Sequence, residues 1–240
     1  MDGWTRVTRR NKRLPAIPRH VHQPASVLAI DTIAARHARV CAAWQASSAC
    51  AAVRGLVRGI TTQVLSATCL GLGSFEPPDG GWDACHRAHV QLAAFATIIH
   101  ELEQASQSPI PCFFQDPAFS PSDCAFLASL GYSVLIAPAA SAHIDASSFI
   151  YAIHLYRPVY ADALAAGPPA IFVGTAWPVW DALPPAQPRL DALKTMHDTY
   201  HHTTFPQYDD ENVFSSTAIY WRPSLSADGL ATTLGNVSLA

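Results

Sequence analysis

Two stretches of helical periodicity come first along the chain. In the first, which begins near residue 25, mostly apolar side chains recur every three or four positions, as one buried face of a helix requires. Its members are Val27, Ile30, Ile33, Ala34, His37, Val40, Cys41 and Trp44. The second follows a break at Ser47 and Ser48, and its apolar positions are Cys50, Val53, Leu56, Val57 and Ile60. Both patterns predict scaffold helices.

Beyond residue 60, short apolar runs alternate with longer helical stripes. The short runs predict strands at 63–72, 111–117, 132–136, 148–154, 170–174 and 213–221. The stripes predict helices at 84–104, 120–130, 158–166 and 190–200. Strands that are separated by helices pair in parallel through right-handed crossovers. We therefore predict an α/β, three-layer, Rossmann-like sandwich with a mostly parallel sheet and the N-terminal helices packed on one side.

Length and composition favour one domain. The chain has 240 residues, of which 50% are hydrophobic and 14% are charged. This length suffices for one well-buried domain and is short for two, so we predict a basic irregular arm at 1–24 and a single α/β domain at 25–240. No apolar stretch reaches the roughly 18–20 residues that cross a bilayer, so no transmembrane helix is predicted.

The N-terminal segment and the cysteines predict a reducing compartment. The first residues are polar and basic and lack the apolar core of a secretory signal peptide, so we expect a cytoplasmic or nuclear protein. The six cysteines are scattered, and no Cys-x-x-Cys pair occurs among them. We therefore expect mostly buried thiols rather than disulfides, and no zinc finger.

Charge is distributed unevenly along the chain. Residues 1–60 hold ten lysines and arginines against two acidic residues, whereas 61–240 hold five against sixteen. The basic arm at Arg6–Arg19 can contact nucleic acid, an anionic membrane or an acidic partner, or serve as a nuclear-import signal. The alternative is a solvated tail that interacts with the acidic part of the same chain. Apart from this arm, no nucleic-acid partner is expected.

Small and acidic residues follow the first two predicted strands. Gly71, Gly73 and Ser74 follow the first strand, and Asp116 follows the second. In an open parallel sheet, ligands bind beyond the carboxyl ends of the strands. Glycines there let the backbone approach a ligand closely, and an acid after the second strand can bind a ribose hydroxyl. These residues indicate a crevice for a small molecule, such as a nucleotide-like cofactor.

Turn chemistry is the alternative explanation of the same residues. The third glycine of the dinucleotide fingerprint is absent, and Gly73 and Asp116 are separated by about twice the usual roughly 20 residues. On this explanation the glycines form a turn, and Asp116 caps a helix at Ser120 or orders the turn at Pro117. The sequence leaves both explanations open.

Five histidines are candidates for site chemistry. His154 closes the fourth predicted strand and would point into the same crevice, as a general base, as a metal or haem ligand, or as a structural histidine. His197 and His201 have metal-ligand spacing on the last predicted helix, but no third ligand accompanies them, and we expect a solvated face and no metal site. His86 and His89 flank the start of the long helix and are weaker candidates. Neither a Gly-x-Ser-x-Gly elbow nor a phosphate-binding Gly-x4-Gly-Lys loop occurs.

A series of short, different motifs follows a characteristic order over most of the chain. They are Asp2-Gly3-Trp4-Thr5 with Val7, Arg9 and Arg10; Cys69-Leu70-Gly71-Leu72-Gly73-Ser74; Gln91-Leu92-Ala93; Asp116-Pro117-Ala118-Phe119-Ser120; Leu130-Gly131-Tyr132-Ser133-Val134-Leu135; His154; Tyr160-Ala161-Asp162-Ala163-Leu164; and Phe214-Ser215-Ser216-Thr217 with Trp221. Together they resemble the "sensitivity to red light reduced" (SRR-like) domain family of eukaryotes. Leu155 stands where that family tends to have cysteine, and Thr175 where it tends to have asparagine.

The resemblance implies a regulatory protein without a settled catalytic reaction. Members of the family are linked to circadian and light signalling in plants, to microtubule-drug tolerance in yeast, and to haem metabolism and haem binding in animals. No cysteine of this chain is followed by proline, so haem would need a histidine ligand here.

Three functional hypotheses remain open at this point. The first is a regulatory protein that acts through a protein partner, on a Rossmann-like scaffold with a crevice at Gly71–Ser74, Asp116 and His154. The second is an enzyme with a nucleotide-type cofactor, foremost a methyltransferase that uses S-adenosylmethionine, in which Asp116 holds the ribose and His154 handles a proton. The third is a haem-binding module with His154, His86 or His89 as the axial ligand.

Overall fold

The computed structural model describes residues 27–208 and 212–223 of the chain. The basic arm expected at 1–24 lies outside this part. Within the described ranges, every helix is too short or too polar to span a bilayer.

Two helices precede the sheet, as the periodicity predicts. They are α1 (Val27–Ala46) and α2 (Ser48–Arg58). The break between them is the N-cap of α2, where the Ser47 hydroxyl accepts a hydrogen bond from the backbone N–H of Cys50. This bond satisfies one of the backbone donors that a helix start leaves unpaired.

One mixed sheet forms the centre of the described chain. Its strands are β1 (Ser66–Leu70), β2 (Cys112–Gln115), β3 (Ser133–Val134), β4 (Ser148–Ala152), β5 (Ile171–Thr175), β6 (His201–Thr204) and β7 (Thr217–Trp221). They lie in the order β3-β2-β1-β4-β5-β7-β6. Strands β1 to β5 pair in parallel, whereas β7 is antiparallel to both of its neighbours.

Helices cover both faces of this sheet. The remaining ones are α3 (Trp82–Ser106), α4 (Pro121–Ser129), α5 (Arg157–Ala163), α6 (Trp177–Asp181), α7 (Asp191–Thr199) and a 3₁₀ helix at Ala139–His143. Buried side chains of α1 to α4 form one core with one face of the strands, and those of the 3₁₀ helix, α5 and α7 form a second core with the other face. Alternation along β4 shows the two faces, since Phe149 belongs to the first core and Ile150 to the second. The predicted three-layer α/β sandwich is confirmed.

The C-terminal elements differ in part from those that the sequence predicts. The helix predicted at 190–200 is confirmed as α7 (Asp191–Thr199), but strand β6, which begins two residues after it, was not predicted. The strand predicted at 213–221 begins only at Thr217, because the preceding residues form a turn in which Ser216 has a φ of +56°. Short helix α6 was not predicted.

Candidate functional site

The strand order reverses between β1 and β4. Strand β1 pairs with β2 on one side and with β4 on the other, so the chain leaves these two strands towards opposite edges of the sheet. Such a switch point opens a crevice at the carboxyl ends of the strands. An open cavity of about 860 Å³ lies there, lined by residues that follow β1, β2 and β4.

The two glycines after β1 line this cavity and differ in their surroundings. Gly71 and Gly73 both have positive φ angles, of +66° and +85°. A Cβ at Gly71 would lie 2.0 Å from Cδ2 of Leu155, so the missing side chain allows the segment after β4 to pack against the end of β1. At Gly73 no atom of the described residues lies within 4 Å of the Cβ position. Gly71 therefore serves packing, and Gly73 opens onto free space.

Asp116 lies directly after β2 and joins the ends of two strands. Its Oδ2 accepts a hydrogen bond of 2.7 Å from the backbone N–H of Gly73, and its Oδ1 accepts one of 2.7 Å from that of Ala118. The second bond orders the turn after β2, as one of the sequence-based alternatives proposed. Since a carboxylate has about four acceptor positions, Asp116 retains the capacity to accept two further hydrogen bonds at the cavity wall.

Ser74 belongs to a buried network rather than to the cavity wall. Its hydroxyl donates a hydrogen bond of 2.7 Å to Oδ2 of Asp123, a fully buried carboxylate. Asp123 also accepts from the backbone N–H groups of Phe75, at 3.0 Å, and Ser120, at 2.8 Å. Its own N–H donates to the Ser120 hydroxyl, which completes a capping box at α4. The cap predicted for Asp116 is therefore supplied by Asp123.

His154 follows β4 and lines the cavity with an exposed side chain. Its backbone φ is +55°, an uncommon value for a residue with a side chain. The ring Nε2 lies 2.7 Å from the backbone carbonyl oxygen of Ser215. A carbonyl oxygen can only accept, so Nε2 carries the proton, and in the neutral ring Nδ1 is then the acceptor.

Helix α3 forms the cavity wall on one side of the sheet edge. Ala84, Arg87 and Gln91 follow each other at helical spacing and line the cavity. The Gln91 side chain is fixed by a hydrogen bond of 3.4 Å to the carbonyl oxygen of Val213. Among the described residues of the wall, Arg87 is the only arginine or lysine.

The opposite wall comes from the other face of the sheet. It includes Ile144, after the 3₁₀ helix, Tyr156 at the N-cap of α5, and Val159 and Asp162 within α5. The described wall as a whole carries two carboxylates, those of Asp116 and Asp162, against one guanidinium. The cavity is therefore not a strongly cationic site.

The structure brings most of the predicted site residues to one place. Those that line the cavity are Gly71, Gly73, Asp116 and His154, whereas Ser74 turns to Asp123. That they bind a ligand stays a prediction. Sequence reasoning missed the cavity-lining residues of the two flanking helices, which are Arg87, Tyr156 and Asp162. Helical spacing was the available signal, but nothing in the sequence told which helix faces meet at the sheet edge.

The other candidate histidines lie elsewhere. His201 belongs to β6 and not to the helix of His197, and the ring next to His197 is that of His202, with the centroids 4.6 Å apart. His86 stacks on Trp82. In the described ranges, no three His, Cys, Asp or Glu side chains are placed to hold a metal ion.

His89 is part of a buried pair between α1 and α3. Its Nδ1 lies 3.3 Å from Nδ1 of His37, and its Nε2 has no hydrogen-bond partner among the described residues. Burial lowers the pKa of His37 to about 4. Burial, with smaller contributions from His37, Arg36 and His86, lowers the pKa of His89 to about 3. Both rings are therefore neutral at pH 7.

All six cysteines are free thiols, as predicted, and four of them are buried. Burial raises the pKa of Cys112 to about 12, so this thiol stays protonated at neutral pH. A protonated thiol is a poor nucleophile.

These features define a Rossmann-like α/β protein with an open cavity at the switch point of its sheet. The family model of the SRR1 domain matches residues 48–221, from the start of α2 to the end of β7, and the chain belongs to this family. The match confirms the resemblance seen in the sequence motifs. No curated protein and no solved structure matches the chain significantly.

Proposed function

We propose that the protein binds S-adenosylmethionine, or a closely similar nucleoside, at the carboxyl ends of β1 and β2. The observation that carries this proposal is the position of Asp116 beside the open face of Gly73. A carboxylate that follows the second strand can accept hydrogen bonds from both ribose hydroxyls. The free space at Gly73 leaves room for the sugar, and the cavity volume suits a ligand of this size.

The strand order supports the same assignment. The order 3-2-1-4-5-7-6 reverses between β1 and β4, and open α/β sheets bind nucleotide cofactors in the crevice at such a reversal. Fold alone does not determine function, so the proposal depends on the geometry of Asp116 and Gly73.

The loop after β1 favours a nucleoside without phosphates. In dinucleotide-binding folds the glycine turn leads directly into a helix, whose N-terminus receives the pyrophosphate. Here α3 begins at Trp82, nine residues after Gly73, and the Gly73 N–H is already bonded to Asp116. Arg87 is the only arginine or lysine on the described cavity wall, against two carboxylates. A polyanionic ligand would meet little compensating charge there.

His154 is the residue that we propose for proton transfer. When bound, S-adenosylmethionine supplies a methyl group that is activated for transfer. The bond from Nε2 to the Ser215 carbonyl fixes the ring and leaves Nδ1 as the proton acceptor at the cavity wall. A histidine in this state can receive the proton that an acceptor group releases.

Calorimetric titration tests the proposal. The ligands are S-adenosylmethionine, S-adenosylhomocysteine, NAD and haemin, and the proteins are the wild type, Asp116→Asn and Asp79→Asn. Asp79 is a matched control, because its Oδ1 also accepts a backbone N–H two residues on, in an exposed turn away from the cavity. We expect micromolar binding of both S-adenosyl compounds, and binding weakened about 10- to 100-fold in Asp116→Asn only, as for a lost hydrogen bond to a charged acceptor.

Two results would contradict the proposal. One is the absence of binding by either S-adenosyl compound, and the other is equal binding by the wild type and Asp116→Asn. Thermal unfolding of both variants shows whether they are folded. Tighter binding of haemin, with a Soret shift that His154→Ala abolishes, would assign the cavity to haem instead.

A regulatory protein that acts through a protein partner is the second candidate. The observation in its favour is that Asp116 is bonded through both oxygens to backbone N–H groups of its own chain, which orders the loops without a ligand. If this second candidate is correct, neither the wild type nor Asp116→Asn binds any of the four ligands. Asp116→Asn then only lowers the stability of the fold.

A further inference from the structure

The side of the cavity next to α5 differs in polarity and charge from the side that Gly73 and Asp116 form. Val159 and Asp162 are three residues apart on this short helix, Tyr156 is the residue at its N-cap, and all three line the cavity. Pro138 and Ile144, which are apolar, also line the cavity. This part of the wall therefore combines an apolar surface with a single carboxylate.

Tyr156 leaves a large aromatic ring in solvent. Its side chain is 83% exposed, although most of the aromatic residues in the described chain lie in the cores. An aromatic ring at the rim of a cavity offers apolar area and a face that attracts cations. The neighbouring Arg157 does not occupy this face, because its guanidinium stacks over the ring of Trp180 at 5.2 Å.

Asp162 supplies the charge of this wall. No hydrogen bond or ion pair joins its carboxylate to another residue of the described part of the chain. Arg87 lies on α3, whose buried side chains pack on the opposite face of the sheet from those of α5. The carboxylate of Asp162 is thus an exposed, cavity-lining anion without an ion-pair or hydrogen-bond partner among the described residues.

We propose that the α5 side of the cavity binds an organic amine, with its ammonium group against Asp162 and its apolar or aromatic body against Tyr156 and Val159. A carboxylate beside an aromatic face is a general arrangement for the recognition of organic cations. The assignment of this amine as the acceptor of a methyl group rests on the proposed function. The binding of the amine itself does not depend on it.

The probe is 2-phenylethylamine, with phenylacetate and 2-phenylethanol as analogues of similar shape and different charge. Binding is followed by ligand-observed NMR on the full chain, with and without saturating S-adenosylhomocysteine. The variants are Asp162→Asn and Tyr156→Ala. Their matched controls are Asp181→Asn and Leu183→Ala, which alter an exposed acid and an exposed apolar side chain outside the cavity wall.

We expect the amine to bind at least about fivefold more tightly than either analogue. Asp162→Asn and Tyr156→Ala each weaken it by about fivefold, and the control variants leave it unchanged. Equal binding of amine and phenylacetate, or an unchanged affinity in Asp162→Asn, would overturn the proposal.

The measurements with and without S-adenosylhomocysteine distinguish a failure of the amine proposal from a failure of the nucleoside proposal. If the amine binds and the nucleoside does not, the amine site stands and the nucleoside proposal fails. If the nucleoside binds and displaces the amine, or if Asp162→Asn weakens the nucleoside, the α5 wall belongs to the nucleoside site and the amine proposal is wrong.

Discussion

Leu155 occupies the space that a side chain at Gly71 would need. Its Cδ2 lies 2.0 Å from the position that a Cβ at residue 71 would take. These two residues follow β4 and β1, the pair of strands between which the sheet reverses its order. The packing of leucine against glycine therefore fixes the floor of the cavity, and it gives Gly71 a structural role that Gly73 does not share.

Substitution of Gly71 by alanine should destabilise the protein by about 1–3 kcal/mol, since the end of the Leu155 side chain can shift in part. The added methyl group overlaps Leu155, and the positive φ of Gly71 strains any residue with a Cβ. The free energy of unfolding in urea measures the effect. Gly131→Ala is the control, because Gly131 has a φ of +86° and open space around its Cβ position, so it carries the strain without the overlap.

A double-mutant cycle with Leu155→Ala tests the cause. If the overlap is responsible, the double variant is more stable than the sum of the two single effects predicts, by about 1 kcal/mol or more. Additive effects, or equal losses in Gly71→Ala and Gly131→Ala, would show that Leu155 does not set the requirement for glycine.

Replacement of Asp123 by asparagine should cost about 1–3 kcal/mol, the range for a buried hydrogen-bond donor that loses its acceptor. The carboxylate is fully buried and accepts from the Ser74 hydroxyl and from the N–H groups of Phe75 and Ser120. The side-chain nitrogen of asparagine is a hydrogen-bond donor, and at this position it would face other donors instead of acceptors. Urea denaturation checks the loss, with the exposed Asp79→Asn expected within about 0.5 kcal/mol of the wild type. A loss below about 1 kcal/mol at Asp123 would contradict the network.

Stability should fall as the pH decreases from 7 to 5. Burial keeps the pKa values of His37 and His89 near 4 and 3, below the value of about 6.5 in the unfolded chain. In this window the unfolded state binds protons that the folded state does not bind, so each histidine removes about 2 kcal/mol of stability between pH 7 and pH 5. The loss levels off once the pH falls below the folded pKa values.

His89→Phe isolates this contribution. Between pH 7 and pH 5, the free energy of unfolding in urea should fall by about 2 kcal/mol less in the variant than in the wild type. The reason is that one of the two buried imidazole rings has been removed. The same pH dependence in both proteins would show that His89 accepts a proton in the folded state. His143→Phe serves as a control, because His143 is only partly buried and lies outside the pair of His37 and His89.

The sequence predicted the parallel part of the sheet because its strands are apolar. Strands β1, β4 and β5 are almost entirely buried and appear as short apolar runs between helices. Strand β6 could not be found in this way. Its four residues, His201–Thr204, are all exposed at the edge of the sheet, so no apolar run or alternation marks them.

The candidate site was predictable only as far as the strand ends. Gly71, Gly73, Asp116 and His154 follow predicted strands, and the carboxyl ends of parallel strands meet at one edge of a sheet. Ser74 shows the limit of this argument. It directly follows Gly73, but the buried carboxylate of Asp123, 49 residues further on, turns its hydroxyl away from the cavity. Such a long-range contact leaves no local signal in the sequence.

The dissociation constant of S-adenosylhomocysteine for Gly73→Ala, compared with that for Gly131→Ala, tests the central claim most directly. The two glycines have φ angles of +85° and +86° and open space at the Cβ position, so alanine strains the backbone equally, but only Gly73 lines the cavity of the proposed nucleoside site. The account predicts wild-type affinity for Gly131→Ala and a loss of at least about tenfold for Gly73→Ala, since the methyl group takes the room left for the ribose. Equal affinities in the two variants would contradict it.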